Sequence, residues 1–227
     1  MCAAFCAWAQ QQGWTPYAET AGWDVLLVAP DATQIGVQAK LKFNLHVLSQ
    51  AVEGRHYWGG EPGPDFRAVL VPEDPGHKNL CEALGLTVLS PTHIRNGWEF
   101  RPGLPGMQYV GMSEWHFCNH EKRCDLPKYV PDVVAGASAP VQLTRWKVGA
   151  LQVCAAIEVR GYVTRDDFRR YGIDHRRWIN DNAWLIQGDA PGKFIRGPSL
   201  GFDKQHPTVY QQVLAEVREE LTKLTLV

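Results

Sequence analysis

The residues with the clearest chemical potential lie between positions 19 and 40. Asp24 interrupts the apolar run Trp23-Asp-Val-Leu-Leu-Val-Ala29, and Gln38-Ala-Lys40 closes the alternating stretch Gln34–Leu41. Pro30-Asp-Ala-Thr33 has turn chemistry, so the two stretches read as the arms of a β-hairpin. Antiparallel pairing across that turn sets Asp24 opposite Gln38 within about one residue. Gln38 and Lys40 are two apart on one arm and project to one face. Glu19 enters from the segment before the first arm. A carboxylate, an amide and an ammonium meeting at one end of a hairpin suit phosphodiester hydrolysis. Mg²⁺ takes one or two carboxylates together with other oxygens. Asp24 would be the main ligand, with the Gln38 side-chain carbonyl, the Ala39 backbone carbonyl and Glu19 beside it. Lys40 would orient the attacking water or neutralise developing charge on the phosphate.

The elements that would hold these groups can be read from periodicity. Ala3–Gln12 forms a short helix stopped by Gly13. After the hairpin, Leu45, Leu48 and Val52 recur at helical spacing over Lys42–Glu53. Phe66–Val71 is a strand, His77–Leu84 a helix, and Leu86–Leu89 a further strand. Helices between the later strands imply crossovers and parallel pairing. The expected fold class is α/β: a small mixed sheet flanked by helices with a hairpin at its front.

That order, with Asp24 followed by Gln38-Ala-Lys40, resembles the PD-(D/E)XK nuclease superfamily over roughly residues 1–90. The resemblance implies a restriction-endonuclease-like domain, Mg²⁺ or Mn²⁺ as cofactor, DNA as partner, and catalytic roles for Asp24, Gln38, Lys40 and Glu19. Gln50, on the helix after the hairpin, is similar to a polar residue that several branches place near the site. Gln38 departs from the usual glutamate. Gln occurs there in some branches, but it removes one negative charge and weakens the expected metal affinity. Nucleases of this type often cut as homodimers.

Residues 93–140 are rich in Pro and Gly and read as a connector between a first domain, 1–92, and a last one, 141–227. In the last part a long helix from Val141 is stopped by Gly161. Thr164 caps a second helix, and Asp174 caps a third from His175 to about Ala183. Lys193–Arg196 belongs to a short hairpin, and Thr208–Leu224 closes as an amphipathic helix. This order is that of a winged helix-turn-helix. Arg176, Arg177 and Asn180 would read DNA from the third helix. Arg165, Arg169 and Arg170 would hold phosphates from the second, and Lys193 and Arg196 would act from the wing. Asp166, Asp167 and Asp174 stand among these arginines as alternative partners.

Charge follows the same division. Residues 1–90 carry 5 Lys or Arg against 9 Asp or Glu, whereas residues 140–227 carry 13 against 10. The six cysteines are scattered and read as reduced thiols. His116, Cys118, His120 and Cys124 place four metal-binding side chains within nine residues. Their spacing lacks the two separated knuckles of common zinc sites, so zinc is the minor reading. No run is long and apolar enough for a bilayer span, and the start lacks a signal-peptide pattern, which together imply a cytoplasmic protein. The expected function is therefore metal-dependent DNA cleavage, on duplex or branched DNA, with the last domain holding substrate. The rivals are a nuclease fold retained for DNA binding or regulation, and a protein–protein interaction module.

Overall fold

A computed structural model describes residues 1–54, 61–73, 76–95, 97–106, 114–118, 120–133, 143–181 and 184–225 of the chain. Two compact units divide the described residues. One is Met1–Val130, and the other joins Pro131–Val133 to the chain from residue 143 onward.

The first unit is mixed α/β. Helix α1 (Cys2–Gln11) precedes three antiparallel strands, β1 (Thr15–Thr20), β2 (Trp23–Val28) and β3 (Gln34–Ala39). Helix α2 (Leu45–Val52) leads to β4 (Phe66–Leu70), and α3 (Lys78–Ala83) leads to β5 (Thr87–Ile94). Strand β6 (Gly97–Arg101) returns antiparallel to β5 and completes a six-stranded sheet in sequence order. The local rules account for this pairing. Ala21 and Gly22, both at positive φ (52° and 80°), close the β1–β2 turn in the conformation that matches strand twist. Helical crossovers make β3–β4 and β4–β5 parallel.

Helices α2 and α3 bury Val47, Leu48, Ala51 and Cys81 against Val69, Val71, Leu86 and Val88. A separate aromatic group joins α1 to β6, where Phe5 and Trp8 lie 5.2 and 5.3 Å from the Phe100 ring. Trp23 covers Gly36 so closely that a Cβ built there would lie 2.4 Å from its ring atoms. On the same tryptophan rests Arg67, its guanidinium 5.3 Å from the ring centroid. Arg67 is buried and donates to the carbonyls of Ala51 (3.0 Å) and Glu53 (2.7 Å), which satisfies the end of α2.

Of the segment read as a connector, the described residues up to Val130 belong to this unit. Residues 97–101 are β6, and the chain around 114–124 is laced to the sheet. Gln34 exchanges two side-chain bonds with the backbone of Cys124, both 2.9 Å. Asp65 accepts from Arg123 at 2.8 Å, and its carbonyl accepts from Cys118 N–H at 2.8 Å. Side-chain bonds of Gln34 and Asp65 and single main-chain bonds hold it there in place of a strand ladder.

The second unit opens with α4 (Arg145–Arg160), capped by Thr144 and ended at Gly161 with φ 85°. Val163 bridges Phe194 through two 2.8 Å bonds. Helix α5 (Arg165–Arg170) starts from a capping box between Thr164 and Asp167. The expected third helix is a π-helical turn, Arg177–Asp181, rather than a full helix to Ala183, which lies outside the described residues. Its position is set by packing. Trp178 is fully buried, with Phe202 and Trp184 both 5.3 Å from it and Phe168 at 5.5 Å. Strands β7 (Leu185–Gln187) and β8 (Phe194–Arg196) form a hairpin. Helix α6 (Pro207–Thr225) packs along α4, where Tyr210 donates to Glu158 at 2.5 Å. Among the described residues, no helix is long and apolar enough to cross a membrane.

Two outcomes follow from this packing. Gly36→Ala should destabilise the first unit by roughly 1–3 kcal/mol, since Trp23 must move, which urea unfolding monitored by tryptophan fluorescence will report. His206 is buried with neither ring nitrogen hydrogen-bonded. Burial and then Lys147 push its pKa below the ordinary 6.5, against a smaller pull from Asp132. The unfolded chain therefore takes up the proton first as pH falls. The stability held by neutral His206 is present above about pH 6.5 and is lost below it, by up to about 1.4 kcal/mol per pH unit. Melts from pH 7.5 to 5 should show this slope, and His206→Leu should flatten it.

Candidate functional site

The β2–β3 ladder pairs Val25 with Val37 as its last regular step. One step further, a regular ladder would set Asp24 against Gln38. Instead the Asp24 carboxylate accepts the Ala39 N–H at 2.7 Å, and the Gln38 amide donates to the Gly22 carbonyl at 2.8 Å. Side chains replace main-chain partners at this end, where the register-paired ladder stops. β3 stays anchored on its other side, where Gln38 and Ala39 pair with Val69 and Leu70 and Lys40 N–H donates to Leu70 O at 3.0 Å.

Asp24, Gln38, Ala39 and Lys40 thus share one end of the sheet. Gln38 is buried; Asp24, Ala39 and Lys40 are half-buried. Gly22 O can only accept, so the atom facing it must be the Gln38 amide nitrogen, and the Gln38 carbonyl oxygen turns away. Among the described residues no hydrogen bond occupies that oxygen or the second oxygen of Asp24.

Glu19, ahead of the first arm of the hairpin as expected, lies on a strand of its own, β1. It falls between the pairs Ala18–Val25 and Thr20–Trp23, at the level of Asp24. Its φ of 50° is uncommon for a residue with a side chain. Cys2 is a further group in this neighbourhood that was not among the expected site residues. Burial raises the Cys2 thiol pKa, the amine of Met1 lowers it, and the carboxylates of Asp24 and Glu19 raise it further. Helix α1 therefore brings its first turn to the two carboxylates. The i, i+4 spacing of Cys2 and Cys6, which sets both thiols on one helix face, was the available signal. Gln50 sits on α2 with its carbonyl oxygen buried and without a hydrogen-bond partner.

The cysteine–histidine cluster does not assemble. Cys124 packs in the core with Trp23 and Leu26, and His120 Nε2 lies 3.3 Å from the Arg67 guanidinium. Cys118 Sγ reaches the His116 carbonyl at 3.8 Å, and His116 Nε2 is buried without a partner. Among the described residues no group of three or more His, Cys, Asp or Glu is arranged to hold a metal ion. These four residues are used for packing and for pinning chain to the sheet.

In the second unit the expected nucleic-acid contacts divide. Arg169 pairs with Asp166, Arg170 with Glu220 at 3.5 Å, and Arg196 with Asp203 at 2.9 Å while also donating to Leu200 O. Lys193 lies 4.0 Å over the Tyr162 ring, with Arg160 4.5 Å from the same ring. Arg165 is exposed and lines a cleft of about 410 Å³ with Thr164, Asp166, Gln187, Gly192 and Phe194. Arg176 and Arg177 are exposed at the start of the π-helical turn. The side chain of Asn180 lies outside the described residues.

No protein-family model, curated protein or solved structure matches this chain. The reading of the site therefore rests on its own geometry.

The Asp24–Ala39 bond makes a separable prediction. Asp24→Ala leaves a partly buried N–H without its acceptor and should cost about 1–3 kcal/mol in denaturant unfolding. Asp24→Asn keeps an acceptor oxygen and should cost less than half as much.

Proposed function

We propose that the first unit is a metal-dependent DNA endonuclease domain of the PD-(D/E)XK kind, and that the second is a winged-helix-like module holding the substrate. The observation that carries this is the end of β2 and β3, where side-chain bonds of Asp24 and Gln38 stand in place of ladder bonds. The Asp24 carboxylate, the Gln38 amide and Ala39 lie at this end, and Lys40 follows next in sequence. The order α1-β1-β2-β3-α2-β4, with three antiparallel strands and then a parallel one, supports the nuclease reading. The order α4, Val163 bridge, α5, π-helical turn and β7–β8 hairpin supports the winged helix.

The donor set fits Mg²⁺ or Mn²⁺. All its members are oxygens, and the Gln38 amide, committed to Gly22, presents its carbonyl rather than its NH₂. Asp24, Gln38 and the Ala39 carbonyl would hold the ion, with Glu19 close by. A bound divalent ion would polarise the scissile phosphate and make water a stronger nucleophile. Lys40, the residue after β3, orients the incoming water and balances the charge gained by the phosphate oxygens. In the second unit, Arg165, Arg176 and Arg177 contact the DNA backbone or base edges. Arg169, Arg170 and Arg196, in ion pairs with Asp166, Glu220 and Asp203, also hold the module's shape.

A second reading is favoured by one observation. Gln38 contributes no charge, and its amide is already used to join the two strands, so the same fold would serve as a DNA-binding regulator that does not cut. Cleavage assays on duplex, single-stranded and branched DNA with Mg²⁺ or Mn²⁺ separate the readings. Cutting should fall at least about 100-fold in Asp24→Asn and Lys40→Ala, with the folded state retained. Gln38→Glu should tighten Mn²⁺ binding yet lower stability by about 1–3 kcal/mol, because a carboxylate then faces Gly22 O. Cleavage that survives Asp24→Asn and Lys40→Ala contradicts the nuclease assignment. Salt-dependent DNA binding without any cutting selects the regulator.

A further inference from the structure

Immediately after Lys40 the chain exposes two large aliphatic side chains. Leu41 is 78 % and Leu45 79 % exposed, the highest values among the large hydrophobics of the described residues. A single exposed leucine calls for no explanation. These two differ because the backbone that carries them is fixed on every side. Lys40 N–H is bonded to Leu70 O, Phe43 packs on the α2–α3 core and lies 5.6 Å from the His77 ring, and Asn44 caps α2 through Val47 N–H at 3.0 Å. Val47 and Leu48, one turn on, are buried. The leucines are held outward by neighbours that point inward.

The stretch of chain that carries them has charge of one sign. Residues 1–90 hold 9 acidic and 5 basic residues, yet Lys40–Gln50 contains no Asp or Glu, and two of those five basic residues flank Leu41. Lys42 and His46 are both exposed. A fixed apolar pair flanked by Lys40 and Lys42 is complementary to a nucleic acid, whose phosphates meet the ammonium groups while the apolar tips enter between bases.

We propose that Leu41 and Leu45 are a base-unstacking wedge, which opens a weak step in duplex DNA next to the Asp24–Gln38 end of the sheet. Lys42 and His46 contact the flanking phosphates. This rests on the nucleic-acid reading above and adds the class of substrate: DNA containing a mismatch, nick or branch, where a base step opens at least cost.

The test uses the full chain and a mismatched duplex carrying 2-aminopurine beside the mismatch, without divalent metal. Binding of the natural protein should raise 2-aminopurine emission. Leu41→Ala/Leu45→Ala should bind with the same salt slope and give no rise, while Leu41→Met/Leu45→Met should restore it. Lys42→Ala should reduce the slope of log K against log salt by about 1 and leave the emission at saturation unchanged. A full rise with the alanine pair overturns the wedge, as does a dimer of the natural protein in sedimentation that the alanine pair abolishes, since the patch then belongs to a second copy. Flat emission from a natural protein that binds and cuts DNA removes the wedge alone. A natural protein that binds no DNA at low salt removes the nucleic-acid reading with it.

Discussion

One carboxylate decides how the first sheet ends. Where main-chain pairing between β2 and β3 would continue, Asp24 takes the Ala39 N–H, and Gln38 in turn bonds back to Gly22. A charged acceptor makes a stronger bond than a carbonyl, so the strands are joined at this end without lying in register. The exchange leaves acceptor oxygens outside the ladder, which a continuous pair of strands would not supply. Everything proposed for the site depends on that exchange. The neighbouring strands keep it from collapsing, because β3 remains fully paired to β4 up to Ala39.

The interior is arranged to hold that end steady. Trp23 adjoins Asp24 in sequence, rests on Gly36 and meets Arg67, which bonds the last carbonyls of α2. The strand bearing the carboxylate and the helix after the lysine are therefore coupled through one buried cation and one indole. In the second unit charge serves structure as much as contact. Arg160 and Arg169 lock onto the aspartates of α5, and Arg196 ties β8 to the turn at Asp203. Several of the arginines that look like one basic surface in sequence are therefore part of the fold's own ion pairs.

Much of this was legible in the residues. The β2–β3 hairpin, its Pro30–Thr33 turn, the strand at 66–70 and the helix ended by Gly161 follow from periodicity and stop signals. Strand β1 was hidden because Thr15-Pro-Tyr-Ala-Glu-Thr has no apolar alternation, and its proline is tolerated only because β1 lies at the sheet edge. Strand β6 was hidden by the prolines that follow it, although Gly97-Trp-Glu-Phe-Arg alternates. The π-helical turn at Arg177–Asp181 reflects burial of Trp178, a tertiary demand that local propensity does not carry. At the site, the nearness of Asp24, Gln38 and Lys40 follows from turn length and pairing. That Asp24 would bond Ala39 N–H, and that Gln38 would be fixed by Gly22, depends on where the ladder stops, and no pattern of residue types states that. Arg67 looked like one more charge on a strand; only the fold shows it buried at a helix end.

The most direct test of the central claim is anomalous diffraction from crystals soaked in Mn²⁺. A single strong peak is expected within coordination distance of the Asp24 carboxylate and the Gln38 and Ala39 carbonyl oxygens, absent from Asp24→Asn crystals soaked in the same way. No peak where the β2–β3 register stops, or one that persists unchanged in Asp24→Asn, would rule out a metal centre there.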